Sequence, residues 1–339
     1  MPQSHNQAVN HFDWLDRFEP HPLWRGGWLQ TASIKTLRPK IDVSSHPGCV
    51  AFDVPDDQTP PDTLSGYYLP PEDDSQGKPT VIVFHGMGGH AKSGYMRSMA
   101  ECLLKDGFPV ILWNNRGAGG SARTCQRFHH PGYTEDCKRL IHHLHENHPS
   151  WTEHGLNAVA FSLGANLLLK YLAETCNDSA FSTAVSVSAP IDMKITSQNL
   201  RRGWNRVFDR YLLKRQKQEL LRPNAELNEE EREAIKNASS VWELDDKFTS
   251  RRLGYDGAEA FYRDNSAIDV LDQICTPTLL FHAADDPVVD EDVFTKRDWN
   301  PEGPLFAAFA HSGGHTGFID REGRRWHERN AVRFFHSQR

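Results

Sequence analysis

No stretch of this sequence approaches the ~18 consecutive apolar residues that a membrane-spanning helix needs. The amino-terminal run from Met1 to Phe18 is polar and lacks the apolar segment of a secretory signal. Cysteine is sparse and scattered. Cys49, Cys102, Cys125, Cys137, Cys176 and Cys275 include no C-x-x-C pair, which argues against a zinc site or a disulfide framework and for free thiols in a reducing cytoplasm. Positive charge is not in excess: 38 Lys and Arg face 45 Asp and Glu, and the formal charge of −7 argues against a general nucleic-acid binder. Histidine is abundant, at 18 residues, but no metal-ligand spacing accompanies it. His142, His143, His145 and His148 lack acidic partners and read as a solvated helix face, while His129-His130 reads as loop packing. These absences leave a cytoplasmic chain of 339 residues, long enough for one large domain plus an insertion.

Along the chain, strand-like and helix-like runs alternate, the signature of a mostly parallel sheet wrapped by helices. After two short strand candidates, Cys49 to Val54 and Leu64 to Leu69, a polar turn from Pro70 to Lys78 leads to a buried strand, Thr80 to Phe84. Helices are expected over Met96 to Asp106, Tyr133 to His148 and Leu167 to Thr175. Further strands are expected over Phe108 to Trp113, Leu156 to Phe161, Thr183 to Ser188, Thr278 to Ala283 and Leu305 to Ala310, and a last helix over Arg321 to Phe335. The alternation breaks between Pro190 and Asn265, where the chain is charged and mainly helical. The expected organisation is an extension over 1–45 with aromatic anchors Trp14, Trp24 and Trp28, a core formed by 46–190 and 266–339, and a helical cap over 191–265. The extension is expected to pack on the outside of the core.

The strand ending at Phe161 runs into Ser162-Leu163-Gly164-Ala165, close to the G-x-S-x-G pattern of a nucleophile elbow. Small neighbours are needed there because a sharp strand-to-helix turn brings backbones together. Two further parts follow in the order nucleophile, acid, histidine. Ala284-Asp285-Asp286-Pro287 puts a carboxylate at a strand end, and His311-Ser312-Gly313-Gly314-His315 supplies a glycine-bearing histidine loop. Asp286 is favoured as the acid because it lies farther beyond the small residue ending the strand, with Asp285 in reserve. His315 is favoured over His311 because it follows the paired glycines. Upstream, His85-Gly86-Met87-Gly88-Gly89 follows a buried strand, as in loops that give one N–H to an oxyanion hole. The donors would be the N–H groups of Met87 and Leu163.

The sequence resembles the YheT-like group of α/β-hydrolases classified as AB hydrolase 4, over nearly the whole chain. The resemblance rests on His21-Pro22-Leu23-Trp24 with Leu29-Gln30-Thr31, on His85 to Gly89 with Ser93 and Tyr95, and on Asn115 to Ser121. It continues through Phe161 to Asn166, Arg210 to Leu213, His282 to Pro287 and Gly313 to Phe318. It implies an α/β-hydrolase fold with a cap inserted before the strand that carries the acid. It also implies a Ser162, Asp286, His315 triad that hydrolyses carboxylic esters through an acyl-enzyme. Ala160 and Ala165 depart from the glycines usual in the family.

The resulting expectation is a serine carboxylesterase of short- to medium-chain acyl esters, with a small-molecule ester or lipid as substrate and no metal or organic cofactor. A lipid-directed lipase or phospholipase, or an acyltransferase, would use the same triad. A non-catalytic binding protein on the same fold is the alternative from another class. Gly86 to Ala91 also satisfies G-x-G-x-x-A, and Arg116 would suit a 2′-phosphate, but no acidic residue ends the second strand. In the cap, Arg201, Arg202, Arg206, Arg210, Lys214, Arg215 and Lys217 form a basic run. It reads as a solvated face balanced by the acidic run Glu226 to Glu233, with peripheral membrane contact as the sharper alternative.

Overall fold

The computed structural model describes residues 15–36, 38–73, 77–300 and 302–338. Trp14, the rest of residues 1–14 and residues 74–76 of the polar turn lie outside the described residues. Eight strands form one sheet: β1 (Val50–Pro55), β2 (Thr63–Leu69), β3 (Thr80–Phe84), β4 (Val110–Asn114), β5 (Leu156–Phe161), β6 (Phe181–Val187), β7 (Thr278–Ala283) and β8 (Leu305–Ala310). Their spatial order is β1-β2-β4-β3-β5-β6-β7-β8. β2 pairs antiparallel with β1 and β4, and every pairing from β4 to β8 is parallel. The central strands β3, β4, β5 and β7 are buried at every position, as expected of parallel strands covered on both faces.

Helices Gly94–Lys105 and Trp326–Ser337 cover one face, where Met99, Leu103, Phe334 and Phe335 pack on the sheet. Helices Glu135–Asn147 and Leu163–Thr175 cover the other through Leu140, Leu144, Leu168 and Leu172. The last helix begins at Trp326, later than the pattern suggests, because a turn at Asp320 accepts the N–H groups of Glu322 and Arg324.

Between β6 and β7 the chain forms helices Met193–Leu200, Arg206–Leu220, Glu229–Asn237, Val241–Leu244 and Ala258–Asn265, with a π-helical turn at Asp245–Thr249. This unit has its own apolar cluster of Leu213, Ile235, Val241, Leu244 and Phe248.

One further finding differs from the sequence reading. Cys176 and Cys275, 99 residues apart, form a disulfide, so not all six cysteines are free thiols. The helix Gly27–Ser33 of the extension buries Gly27, Gln30 and Ser33. Gln30 is fully buried, donates to the carbonyls of Trp24 and Ile319, and accepts the N–H of Ile319 at 2.7 Å.

Candidate active site

Ser162 sits where β5 turns into the helix Leu163–Thr175, with φ 51° and ψ −122°. A non-glycine residue pays for such a left-handed conformation only where its surroundings enforce it. Here the Ser162 N–H donates to the carbonyl of Val187 at 2.8 Å, while the Ser162 carbonyl accepts the N–H of Ala165 at 2.8 Å. Gly164 passes so close to the next loop that a Cβ there would lie 2.3 Å from the carbonyl oxygen of His85. A Cβ on Gly86 would lie 2.9 Å from Ser162 Cβ. Both glycines are therefore set by close backbone approach. Ala160 and Ala165 are fully buried without needing glycine's freedom.

The Ser162 hydroxyl lies 2.8 Å from His315 Nε2, and His315 Nδ1 lies 2.8 Å from Asp286 Oδ2. The other oxygen of Asp286 accepts the N–H groups of Val288 at 2.8 Å and Val289 at 3.0 Å, which fixes the carboxylate. Asp285 faces elsewhere: its Oδ1 accepts the N–H groups of Gly313 at 2.8 Å and Gly314 at 2.9 Å. The neighbouring aspartates thus make different contacts, one with the histidine ring and one with the backbone of its loop. His311 is exposed just beyond β8.

That loop is held from the amino-terminal side as well. Thr31 Oγ1 accepts the N–H of His315 at 2.8 Å, and a Cβ on Gly314 would lie 2.3 Å from the carbonyl oxygen of Gly27. Arg325 donates to the carbonyls of Gly317 and Ser33, joining the two segments. Sequence reasoning does not single out Gln30 or Thr31 as site residues, and it holds Asp285 in reserve as the acid rather than as a support of the histidine loop. The only sequence signal was the Leu29-Gln30-Thr31 motif itself.

Met87 and Leu163 flank the serine. Leu163 is the first residue of its helix, where N–H groups lack intrahelical acceptors. Gly86, Met87, Gly88 and Gly89 form a turn closed by the Gly89 N–H on the Gly86 carbonyl at 3.0 Å. His85 anchors this turn: its Nδ1 lies 2.8 Å from the Gly86 carbonyl, and its Nε2 accepts the N–H of Asn115 at 3.1 Å. Complete burial pushes His85 down to about 4, consistent with a neutral ring carrying its proton on Nδ1. Arg215, from the basic run, donates to the Gly88 carbonyl at 2.7 Å. The Met87 side chain packs on the Leu213–Phe248 cluster, and that of Leu163 packs with Met193, Phe261 and Tyr262.

A cleft enclosing about 1150 Å³, part of it open solvent, lies over Ser162. Its walls are mainly apolar, including Phe128, Leu200, Leu212, Leu220 and Val288. His129 and His130 line it, which departs from their reading as simple loop packing. Two carboxyls also face it. Burial raises Glu219 to about 7 and Asp245 to about 6, and Asp245 accepts the Tyr262 hydroxyl at 2.8 Å.

Arg116 is committed elsewhere. It is buried and reaches Asp56 at 2.9 Å, Asp62 at 2.6 Å and Asp136 at 2.6 Å, which leaves nothing for a nucleotide phosphate. His148 stacks on Trp151, while His142 and His145 are exposed. Among the described residues no group of His, Cys, Asp and Glu is arranged to hold a metal ion, and no helix is long and apolar enough to cross a membrane.

Residues 75–297 match the family model described as "Serine aminopeptidase, S33". The YheT protein of Escherichia coli (strain K12) is 34% identical over 251 residues, covering 72% of each chain. The "Monoacylglycerol lipase" of Saccharomyces cerevisiae is 29% identical over 80% of this chain, and the alignment spans 63% of that longer protein. Among solved structures, the Pyrococcus furiosus esterase Pf2001 superposes with a TM-score of 0.55 at 20% identity, covering 85% of this chain and 92% of its own. The 2,6-dihydroxy-pseudo-oxynicotine hydrolase superposes with a TM-score of 0.57 at 17% identity, covering 91% of this chain and 71% of its own. These structural likenesses show the fold.

Proposed function

The chain belongs to the α/β-hydrolase family described as serine aminopeptidase S33, and from that premise we propose that it is a serine esterase. It cleaves carboxylic esters of short- to medium-chain acyl groups. The observation that carries this reading is the unbroken 2.8 Å relay from Ser162 through His315 to Asp286, with Ser162 beneath an apolar cleft.

In the proposed mechanism, His315 Nε2 takes the Ser162 proton as Oγ attacks the ester carbonyl. Asp286, accepting from Nδ1–H, holds the tautomer that leaves Nε2 free and stabilises the imidazolium that forms. The carbonyl oxygen gains negative charge and is received by the N–H groups of Met87 and Leu163. His315 then returns the proton to the departing alcohol, leaving an acyl group on Ser162. Water, deprotonated by the same histidine, releases the acid. The apolar cleft walls suit the acyl chain.

The test is hydrolysis of p-nitrophenyl esters from acetate to palmitate, alongside a monoacylglycerol suggested by the name of the yeast relative. Activity that peaks at a chain length and vanishes in folded Ser162→Ala supports the reading. Equal activity in both proteins removes it.

A further inference from the structure

The helix Arg206–Leu220 has two faces. Its inner face gives Leu212 and Leu220 to the cleft. Its outer face, with the turn before it, exposes Trp204 (84%), Val207 (50%) and Tyr211 (44%). The amino-terminal helix lies against it: Trp28 packs on Phe208 with ring centroids 4.5 Å apart, and Lys35 sits 4.2 Å over the Tyr211 ring. That helix adds exposed Trp28 (39%) and Leu29 (47%). Five of the eight large apolar residues exposed among the described residues therefore gather on these two adjoining helices and the turn between the cap elements. Exposed single apolar residues are ordinary, but a cluster containing two tryptophans and a tyrosine marks an interaction surface.

The same surface is strongly basic. Residues 201–217 carry seven cations against one acid, Asp209, in a chain of net charge −7; Arg215 donates to the Gly88 carbonyl and Lys217 to the carbonyls of Lys236 and Ala238, and the other five are exposed. Asp209 is buried and accepts the N–H of Val241. The acidic run downstream does not neutralise these cations. Glu226 and Glu231 pair with Arg252, and Glu233 pairs with Lys236. Arg206, Arg210 and Lys214 are exposed and have no carboxylate partner among the described residues, and Arg202 only approaches Asp290 at 3.9 Å. The balanced solvated face expected from the sequence is not the arrangement found.

We propose that this face docks the protein on an anionic lipid surface. Tryptophan and tyrosine suit the boundary between headgroups and acyl chains, and the surrounding cations complement negative headgroups. Docking on this outer face does not depend on the Ser162 reading, which concerns the cleft lined by the inner face.

The experiment is co-sedimentation of the full chain with phosphatidylglycerol vesicles and with phosphatidylcholine vesicles, at low and high salt. Trp fluorescence is recorded in parallel. Binding is expected to the anionic vesicles alone, to weaken with salt, and to bring a blue shift that is reduced in Trp204→Ala. The double variant Arg206→Gln/Arg210→Gln should bind about 25-fold more weakly, from roughly fivefold per surface charge. Its hydrolysis of p-nitrophenyl acetate should equal that of wild type, and its circular dichroism reports folding. No binding to anionic vesicles at low salt would overturn the proposal, as would undiminished binding by the folded double variant. Vesicle binding without esterase activity would retain the docking surface and remove the Ser162 reading instead.

Discussion

The adjacent aspartates offer a sharp separation of roles. In Asp286→Asn, Oδ1 still accepts from Val288 and Val289, so the turn should persist. The amide nitrogen, however, would face His315 Nδ1, now 2.8 Å from a carboxylate oxygen. The ring would have to turn Nδ1 into an acceptor and carry its proton on Nε2, where it cannot remove the Ser162 proton. A tautomer error of this kind lowers kcat by about 10⁴, or about 5.5 kcal/mol of transition-state stabilisation. In Asp285→Asn the remaining carbonyl oxygen can still accept from Gly313 and Gly314, so kcat should stay within several-fold of wild type. Asp285→Ala leaves both N–H groups without that acceptor, at about 1–3 kcal/mol each in stability. The assay is kcat and kcat/KM on a p-nitrophenyl ester, with thermal unfolding on the same samples. A collapse of kcat in Asp285→Asn, or near-normal turnover in Asp286→Asn, would refute the assignment.

Thr31→Val removes the acceptor of the His315 N–H and should reduce kcat by about fivefold with KM little changed, since one hydrogen bond is worth about 1 kcal/mol. Gln30→Leu should cost about 2–4 kcal/mol in denaturant unfolding, because a fully buried amide loses three hydrogen bonds. Burial lowers His282 from 6.5 to about 4, so its stability contribution is full above the unfolded pKa and is lost as pH falls through about 4. His282→Phe should therefore flatten acid destabilisation between pH 6.5 and 4, amounting to about 3 kcal/mol at the lower end, as read from unfolding midpoints against pH. Cys176→Ser/Cys275→Ser should lower stability by about 2–4 kcal/mol under oxidising conditions, and reductant should bring wild type to the same level.

What the sequence made legible was local chemistry at strand ends. Ser162, Asp286 and His315 each follow a short apolar run, and small residues mark where the chain must turn sharply. The supports around them were hidden because they are long-range. His315 meets Thr31 across 284 positions, and Gln30 meets Ile319 across 289. Neither pairing leaves a periodicity. Cys176 and Cys275 were equally unreadable, since their approach depends on how the end of the helix Leu163–Thr175 meets the segment before β7. The sequence pattern starts that helix at Leu167, four residues late, because Leu163-Gly164-Ala165-Asn166 reads as a turn. Gly164 lies within the helix, and it is a glycine because the His85 backbone crosses it too closely for a side chain. Arg215 looked like one more surface cation, yet it holds the Gly88 carbonyl beside the proposed oxyanion site.

The most direct test of the central claim is labelling with a fluorophosphonate, followed by intact mass and peptide mapping. The account predicts a single adduct on Ser162 in wild type, absent from Ser162→Ala and much slower to form in His315→Ala. No adduct on the folded wild-type protein, or an adduct that persists in Ser162→Ala, would contradict it.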